Sequence, residues 1–220
     1  MNASGGRGPV ESAGRGGYHH GSLREALTFA ALELLDEGGL EALTVREAAR
    51  RVGVSPGAPF RHFADRRALL RAVAAEVIRD FTELQCAALA EEVPGRPPTW
   101  ALGRGFVRYA AAHPHRFELL RETVYGPRRD PELGPLLAGF EAMGLEAIAE
   151  GQRAGTLRPG DPTLVLLAGQ ALVYGLSQMI VDGFLPPEAA GTLTDQLLDT
   201  LAHGVARITE ADNGPPAPGD

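Results

Sequence analysis

The chain has 220 residues, a formal net charge of −7 and a charged fraction of 22%, which matches an ordinary globular protein. Its one cysteine, Cys86, excludes an intrachain disulfide and a cysteine-rich zinc site, and fits a reducing compartment. The glycine-rich first residues contain no apolar run, so no secretory signal is expected. These properties predict a cytoplasmic protein with one large domain or two small ones.

The charge is distributed unevenly along the chain. Residues 44–67 contain six arginines and two acidic residues, a net charge of +4, so the remainder of the chain carries −11. A short basic segment on an acidic body indicates a part that binds a polyanion and a body with another task.

The two termini differ in pattern from the rest of the chain. Residues 1–17 are rich in glycine and residues 210–220 in proline, and both segments are predicted to be disordered. Adjacent His19 and His20 are interpreted as part of an arm that follows a DNA minor groove or is disordered, rather than as a metal site. Between the termini the apolar spacing is helical nearly everywhere and no segment alternates like a strand, which predicts an all-α fold.

The first two predicted helices have clear end signals. The apolar stripe over residues 23–35 is followed by glycines 38 and 39, which can close a helix in the left-handed conformation. Thr44 is the predicted N-cap of a second, short helix, because Glu47 follows at the capping-box spacing. Gly53 is predicted to end that helix.

The later helices follow from caps and from apolar spacing. Ser55 is predicted to cap a third short helix with Pro56 at its first position, and a fourth helix begins at Asp65. Further helices are predicted at about 100–112, 114–124, 131–154, 161–182 and 187–208.

One of these helices contains a long uncharged run. Residues 164–181 have no charged side chain, which is near the lower limit for a membrane span. Gln170, Ser177 and Gln178 dilute the run and no basic cluster flanks it. We therefore interpret the segment as a fully buried core helix or an interface helix rather than a membrane span.

The most specific pattern in the chain lies between residues 45 and 70. Two short helices joined by a tight turn at Gly53 form a helix-turn-helix candidate. The segment resembles the DNA-binding domain of the TetR family of bacterial transcription regulators over about residues 21–72, through Val52-Gly53-Val54-Ser55, Phe60-Arg61-His62-Phe63, Arg66 and Leu69-Leu70. This resemblance implies an N-terminal three-helix helix-turn-helix DNA-binding domain at residues 18–68. It further implies a C-terminal helical ligand-binding and dimerisation domain at residues 69–209.

The residues at the turn also suit contact with DNA. Pro56, Gly57 and Ala58 make the predicted recognition helix slim at its start, so readout there relies on apolar contact with thymine methyl groups. Arg61 is the one long donor on this helix, and arginine on a guanine edge is the commonest specific contact. Pro59 departs from the family pattern and removes one backbone donor. The resemblance implies phosphate contacts by Thr44, Arg46, Ser55, His62 and Arg66. Phe60 lacks the hydroxyl of the family's usual tyrosine, so it is expected to make only packing or van der Waals contact with the DNA backbone. A purely core role for Phe60 and a surface or capping role for His62 are the alternatives.

Other residues of the segment have a structural interpretation. Arg50 and Arg51 lie at a helix C-terminus, where cations are favourable without any DNA. Phe63 is a predicted core residue. Arg66 and Arg67 lie in the first turn of a helix, where cations oppose the helix dipole unless a phosphate is near.

For the acidic body, the resemblance implies dimerisation and ligand sensing. The predicted helices 161–182 and 187–208 carry apolar stripes, and two such pairs from two subunits would form a four-helix bundle. The candidates for a ligand pocket are polar or aromatic residues on apolar helices, and satisfied core or interface residues are the alternative for each. They are Phe106, Tyr109, His113, Phe117, Met143, Gln170, Tyr174 and Gln178.

The sequence thus predicts a homodimeric DNA-binding transcription regulator that binds a palindromic operator and is released by a small-molecule effector. Repression is the expected outcome because the family mostly represses. The chain lacks a Glu-x-x-His pair, a phosphate loop and a Gly-x-Ser-x-Gly elbow, so no enzyme, cofactor or metal site is predicted. The alternative is a DNA-binding regulator or architectural protein without a small-molecule ligand.

Overall fold

The computed structural model describes residues 23–90, 95–125 and 130–204. These ranges form eight α-helices and contain no strand, which confirms the all-α prediction. The predicted arm (1–17), the predicted tail (210–220) and the histidine pair at 19 and 20 lie outside the described residues. The helices are α1 (Leu23–Ala42), α2 (Val45–Val52), α3 (Arg66–Ala90), α4 (Pro98–Ala112), α5 (Pro114–Leu120), α6 (Gly134–Arg153), α7 (Pro162–Val181) and α8 (Ala190–His203).

The predicted ends of α2 are confirmed, whereas α1 kinks at the predicted stop and continues beyond it. Gly39 interrupts α1 with a φ of 68°, one turn before the helix stops at Ala42. The Thr44 hydroxyl oxygen accepts the Glu47 backbone N–H at 3.1 Å, so Thr44 is the N-cap of α2. Gly53 ends α2 with a φ of 78°.

The predicted third helix is wrong in type and in start. The structure has a single 3₁₀ turn over Ala58–Arg61, and no hydrogen bond from the Ser55 side chain caps it. An α-helix starting at Pro56 would need the residue-59 N–H to bond to the Ser55 carbonyl, and Pro59 has none. The Ala58 N–H instead donates to that carbonyl at 3.0 Å, which gives the tighter 3₁₀ spacing.

Several later helices differ from the prediction at their ends. The segment predicted at 114–124 is α-helical only to Leu120 and continues as a π-helical turn, Arg121–Tyr125. Short 3₁₀ turns, Pro131–Leu133 and Pro187–Ala189, precede α6 and α8. Helix α8 stops at His203, before Gly204 with a φ of 73°, and residues 205–208 of the predicted helix lie outside the described residues.

Both hydrophobic clusters of the described residues include side chains of α4. The first packs α1, α2 and α3 together and continues into the body through Tyr109, Leu119 and Leu133. The second joins Trp100 and Val107 of α4 to α7 and α8. Helix α3 starts beside the turn and runs into the body, which is formed by α4 to α8. It therefore connects the body to the N-terminal head, which is formed by α1, α2 and the 3₁₀ turn.

Helix α7 is only partly covered in the single chain. Among the described residues it is the one helix long and apolar enough to cross a bilayer, which is weak evidence on its own. Val173, Leu176 and Ile180 are buried, whereas Leu164 is 63% exposed and Leu167 59% exposed. The prediction of a fully buried core helix is therefore wrong for the single chain, and an apolar face of α7 lies open.

Candidate functional site

The exposed surface of the 3₁₀ turn is small and mostly apolar. Pro59 points inward and is buried, while the Phe60 side chain is 52% exposed. Arg61 is exposed and is the longest donor of the turn. Because Ser55, Pro56 and Gly57 are also exposed, the tip of the head presents backbone and small side chains to a partner.

The turn is held on the head by α1 and by its own core anchor. Phe63 is 1% exposed, which confirms the predicted core role. The Arg24 guanidinium lies 4.6 Å from the centre of the Phe63 ring and donates to the His62 carbonyl oxygen at 2.8 Å. Sequence reasoning missed Arg24, because its contact spans 38 residues and no local pattern indicates it.

The N-terminus of α2 forms the second part of the exposed face. The Thr44 hydroxyl oxygen accepts the Glu47 N–H, so the hydroxyl proton remains available to donate to a phosphate oxygen. Arg46 follows in the first turn and is exposed. Free backbone N–H groups and the positive end of the helix dipole favour an anion here.

The arginines of the basic segment divide into paired and unpaired side chains. Arg50 pairs with Glu47 at 2.5 Å, and Arg51 pairs with Glu37 at 2.5 Å, which agrees with their structural interpretation. The hydrogen bond from Arg50 lowers the pKa of the Glu47 carboxyl. Within the described residues Arg46 and Arg61 have no ion pair, so their charges are available to a polyanion.

Arg66 has an intramolecular role that the sequence did not indicate. Its Nε donates to the Leu43 carbonyl oxygen at 3.0 Å, and its Nη2 donates to the Leu40 carbonyl oxygen at 2.5 Å. The Leu40 carbonyl lies in the last turn of α1 and Leu43 directly follows the helix, where a cation and donors are favourable. The two bonds explain an arginine in the first turn of α3 without a phosphate, and a phosphate contact by Arg66 stays a prediction.

Asp130 links the head end of α3 to the segment before α6. Its carboxylate is nearly buried, accepts from the Arg71 Nε at 2.8 Å and from the Glu132 N–H at 3.0 Å, and lies 3.6 Å from the Arg67 Nε. Burial acts to raise the pKa of Asp130, but these hydrogen bonds and the two guanidinium charges outweigh it and leave the pKa lowered.

Arg116 on α5 connects the body to the head through two carboxylates. Its Nε and Nη2 donate to the two Asp36 oxygens at 2.8 and 2.6 Å, and its Nη1 donates to Asp80 at 3.3 Å. The hydrogen bonds with Asp36 raise the pKa of Arg116 further above its usual range. Burial, and then the Arg116 charge, lower the pKa of neighbouring His113.

A cavity of about 350 Å³ lies in the body between α3, α4, α6, α7 and α8. Its walls are almost entirely apolar, and Arg158, which is exposed, is the one charged residue among the described lining residues. Gly103 and Gly144 let neighbouring helices approach closely, since an added Cβ would lie 2.9 Å from Leu198 and 2.8 Å from Leu166, respectively. Volume and lining suit a small apolar ligand.

Three of the eight predicted pocket residues line this cavity: Phe106, Met143 and Gln170. The other five do not line it. Tyr109 lies near the end of α4, and His113 follows that helix. Tyr174 and Gln178 lie further along α7 than the cavity extends, and Phe117 is a buried residue of α5. The candidates were chosen as polar or aromatic residues on apolar helices, and this criterion does not indicate how far along a helix the empty space extends.

Aromatic side chains fill the region beyond the cavity. Tyr174 packs against Phe117 and Tyr125 with ring centres 5.6 and 5.0 Å apart, and Tyr109 packs against His113 at 4.9 Å. These residues therefore act as packing in this structure. The sequence missed Trp100 and Gln85, which lie in the cavity wall.

Two family models match the chain, and together they span more than half of it. The model of bacterial regulatory proteins of the tetR family matches residues 27–73, which include α2 and the turn. The model of the tetracyclin repressor-like C-terminal domain matches residues 100–201. The chain belongs to the TetR family of DNA-binding transcription regulators.

The curated relatives of this TetR-family chain match over a short stretch. Tetracycline repressor protein class C of Escherichia coli is 51% identical over 51 residues, 23% of each chain. The class D protein of Escherichia coli is 42% identical over 55 residues, 25% of each chain. The matched stretch thus covers about a quarter of each of these relatives.

Solved structures match the TetR-family chain over most of its length. A protein of unknown function from Rhodococcus sp. RHA1 is 30% identical with a TM-score of 0.71, covering 84% of this chain and 98% of that one. The transcriptional regulator FadR from Bacillus subtilis, in complex with stearoyl-CoA, has a TM-score of 0.67 at 16% identity, covering 83% and 99%. At that identity the FadR likeness concerns the fold alone.

Proposed function

We propose that this TetR-family chain is a homodimeric cytoplasmic repressor that binds a palindromic operator and is released when a small apolar molecule enters the cavity. The DNA-binding part rests on one observation. In an acidic chain, two exposed arginines without an ion pair among the described residues, Arg46 and Arg61, stand on the helix-turn-helix.

The two arginines have different tasks in this proposal. Arg46, beside the α2 N-terminus and the Thr44 hydroxyl, contacts phosphate oxygens and positions the head. Arg61, on the 3₁₀ turn, reaches a guanine edge, and the small residues at the tip allow the turn to enter the major groove. Phe60 has no hydroxyl group to donate, so it contributes packing against the sugar-phosphate backbone.

The open face of α7 supports the dimer. Leu164, Leu167, Ala171 and Met179 recur at helical spacing and are exposed, although α7 is the most apolar of the long helices that the structure describes. A soluble monomer seldom exposes so continuous an apolar stripe. A second copy packed by two-fold symmetry covers it and also brings two heads together to bind a palindrome.

Contacts between the cavity and the head support ligand release. Phe106 lies in the cavity wall and packs against Phe81 of α3 and Phe117 of α5, with ring centres 5.5 and 6.2 Å apart. Helix α3 begins beside the turn, and α5 holds α1 through Arg116. A ligand that moves Phe106 therefore acts on both connections to the head, and it shifts the dimer toward a state with lower operator affinity.

Binding to DNA from upstream of the coding sequence tests this function. Labelled duplex is titrated with the chain at several salt concentrations, and the affinity is expected to fall steeply as salt rises. Arg46→Ala is expected to weaken all duplexes alike and to reduce the salt slope by about one per subunit. Arg61→Ala is expected to relax specificity at one base pair of each half-site, at a cost of about 1–3 kcal/mol.

Each part of the proposal has its own contrary result. Equal losses on all sequences from Arg61→Ala refute its assigned role in base recognition. Operator affinity that no apolar compound changes refutes ligand release and leaves a DNA-binding protein without an effector. If the chain binds none of the duplexes at low salt, DNA binding itself is refuted.

A further inference from the structure

The cavity in the body is buried at one end and open at the other. At the inner end, the lining residues Ile148, Trp100 and Val173 are at most 5% exposed. The exposed lining residues mark the mouth of the cavity. They are Arg158, Ala168, Leu201, Ala202 and Gly204. The mouth therefore lies between the N-terminal part of α7 and the C-terminal end of α8.

The mouth borders the open apolar face of α7. Ala168 lines the cavity, and Leu164 lies one helical turn before it on the same face and is 63% exposed. On α8, Leu201 lines the mouth and is 46% exposed. Helix α7 has no charged side chain between residues 164 and 181, so the surface beside the mouth is uncharged. A ligand in the cavity of a single chain would thus contact water at the edge of the proposed dimer face.

From this juxtaposition we propose that the partner subunit closes the mouth of the cavity, so that each ligand site is complete only in the dimer. This inference rests on the proposed function, because it takes the open face of α7 as the dimer interface. A second copy suits the mouth, since two-fold symmetry places the same uncharged stripe of the partner against it. A polar partner is disfavoured, because polar groups buried on this surface would lack hydrogen bonds.

Closure by the partner couples ligand binding to dimerisation. A partner that removes the mouth side of an apolar ligand from water makes the dimer bind that ligand more tightly than the single chain does. By thermodynamic reciprocity, the ligand then strengthens the dimer by the same factor at each of the two sites. Release from DNA therefore requires a change in the spacing of the heads within an intact dimer, rather than separation of the subunits.

The one tryptophan of the chain provides a direct readout of the cavity. Trp100 is 5% exposed and lines the cavity, so its fluorescence responds when a molecule enters. The purified full chain is titrated with 1-decanol, an uncharged apolar probe, at protein concentrations above and below the dimer dissociation constant. Decanol is expected to bind the dimer about tenfold more tightly than the single chain. This factor corresponds to about 1.4 kcal/mol, or roughly 55 Å² of apolar ligand surface removed from water.

Two matched variants separate the effect of the partner from that of side chains at the mouth. Met179 is 40% exposed on the α7 stripe and lies about three turns, or roughly 16 Å, from Ala168. Met179→Ser therefore weakens the dimer without altering the mouth. Phe29→Ser replaces an exposed apolar residue of α1 and leaves the stripe unchanged.

The variants are compared at a protein concentration at which the wild type is dimeric and Met179→Ser is a single chain by sedimentation. Met179→Ser is expected to bind decanol about tenfold more weakly than the wild type, and Phe29→Ser with the wild-type affinity. The wild-type affinity is expected to return at concentrations at which Met179→Ser dimerises. If Met179→Ser dimerises as tightly as the wild type, the concentration series of the wild-type chain alone decides.

Several results overturn the inference. Equal affinities of the single chain and the dimer for decanol show that one chain forms a complete site. Tighter binding by the single chain shows that the partner blocks the mouth instead of completing the site. Weak binding that persists in the Met179→Ser dimer shows an effect of the substitution itself. No response of Trp100 at any concentration overturns the inference together with the ligand part of the proposed function.

Sedimentation and DNA binding separate this inference from the proposed function. If the chain dimerises and binds upstream DNA but its decanol affinity does not depend on association, the inference fails and the dimeric regulator stands. If the chain stays single at every concentration, the proposed dimer fails and the inference fails with it. If decanol binding follows dimerisation but leaves DNA affinity unchanged, closure by the partner is supported and effector release fails.

Discussion

Replacing Leu167 by serine is expected to weaken the proposed dimer strongly. Leu167 is 59% exposed in the single chain, so more than half of its side chain is available for burial by a partner. Full burial of a leucine side chain contributes about 1.5–3 kcal/mol, which gives about 1–2 kcal/mol for this exposed fraction. Two-fold symmetry repeats the loss in both subunits. The dimer dissociation constant is therefore expected to rise by roughly 30-fold to 900-fold.

Sedimentation equilibrium over a range of protein concentrations measures this change. Phe29→Ser is the matched control, because Phe29 on α1 is 64% exposed and lies on the head, away from α7 and α8. The control variant is expected to keep the wild-type dissociation constant. Both variants are expected to keep the helical content of the wild-type chain, since each replaced side chain is largely exposed.

Two results would contradict the assignment of α7 to the dimer interface. A Leu167→Ser chain that dimerises as tightly as the wild type shows that α7 is not the interface. An equal loss in Phe29→Ser shows that association depends on the total exposed apolar surface rather than on the α7 face. Operator binding by Leu167→Ser is expected to fall in parallel with dimerisation, because one head buries too little surface for specific binding.

Three further changes test contacts within the head and between the head and the body. Arg66→Ala removes the hydrogen bonds to the Leu40 and Leu43 carbonyls and is expected to lower the free energy of unfolding by about 1 kcal/mol. In the absence of DNA this corresponds to a fall of about 2–4 °C in Tm. An unchanged Tm would show that the two bonds do not stabilise the fold and would leave a phosphate contact as the role of Arg66. Asp130→Asn is expected to destabilise the chain at neutral pH in urea unfolding. Folding lowers the pKa of Asp130, so the ionised carboxylate stabilises the folded chain. The free energy of unfolding lost in the variant is therefore largest above about pH 4 and decreases as the pH falls through the folded-state pKa. A loss that increases in acid would contradict this assignment. Arg116→Gln is expected to reduce the effect of a cavity ligand on operator affinity. Binding of the ligand itself, followed by the fluorescence of Trp100 in the cavity wall, is expected to stay unchanged. If the ligand lowers operator affinity as strongly in the variant as in the wild type, Arg116 does not connect the cavity to the head.

Local rules predicted most of the head, because its signals lie within a few residues of each other. The Thr44 cap and the left-handed Gly53 depend on adjacent backbone groups, and both are confirmed. The third helix was predicted wrongly from the Ser55-Pro56 start, since the missing N–H of Pro59 removes the first α-helical hydrogen bond. The effect of Pro59 is local, so the 3₁₀ turn could have been predicted from the same residues.

Contacts between distant parts of the chain could not be predicted from the sequence. The Arg66 side chain reaches carbonyls 23 and 26 residues away, and a first-turn arginine alone does not reveal this partner. The helical period placed Gln170 and Tyr174 on one face of α7, but only the packing of α5 shows that the cavity ends before Tyr174. Gln85 was missed because a single glutamine on an apolar helix has no distinctive spacing.

Whether the chain binds a palindrome as a dimer can be measured by selecting duplexes from a random-sequence pool and counting the chains bound to each selected duplex. The selected duplex is expected to be a palindrome with half-sites about one helical turn apart, or about 10 bp, and to carry two chains. Enrichment of a sequence without two-fold symmetry, or one chain on each duplex, would contradict it.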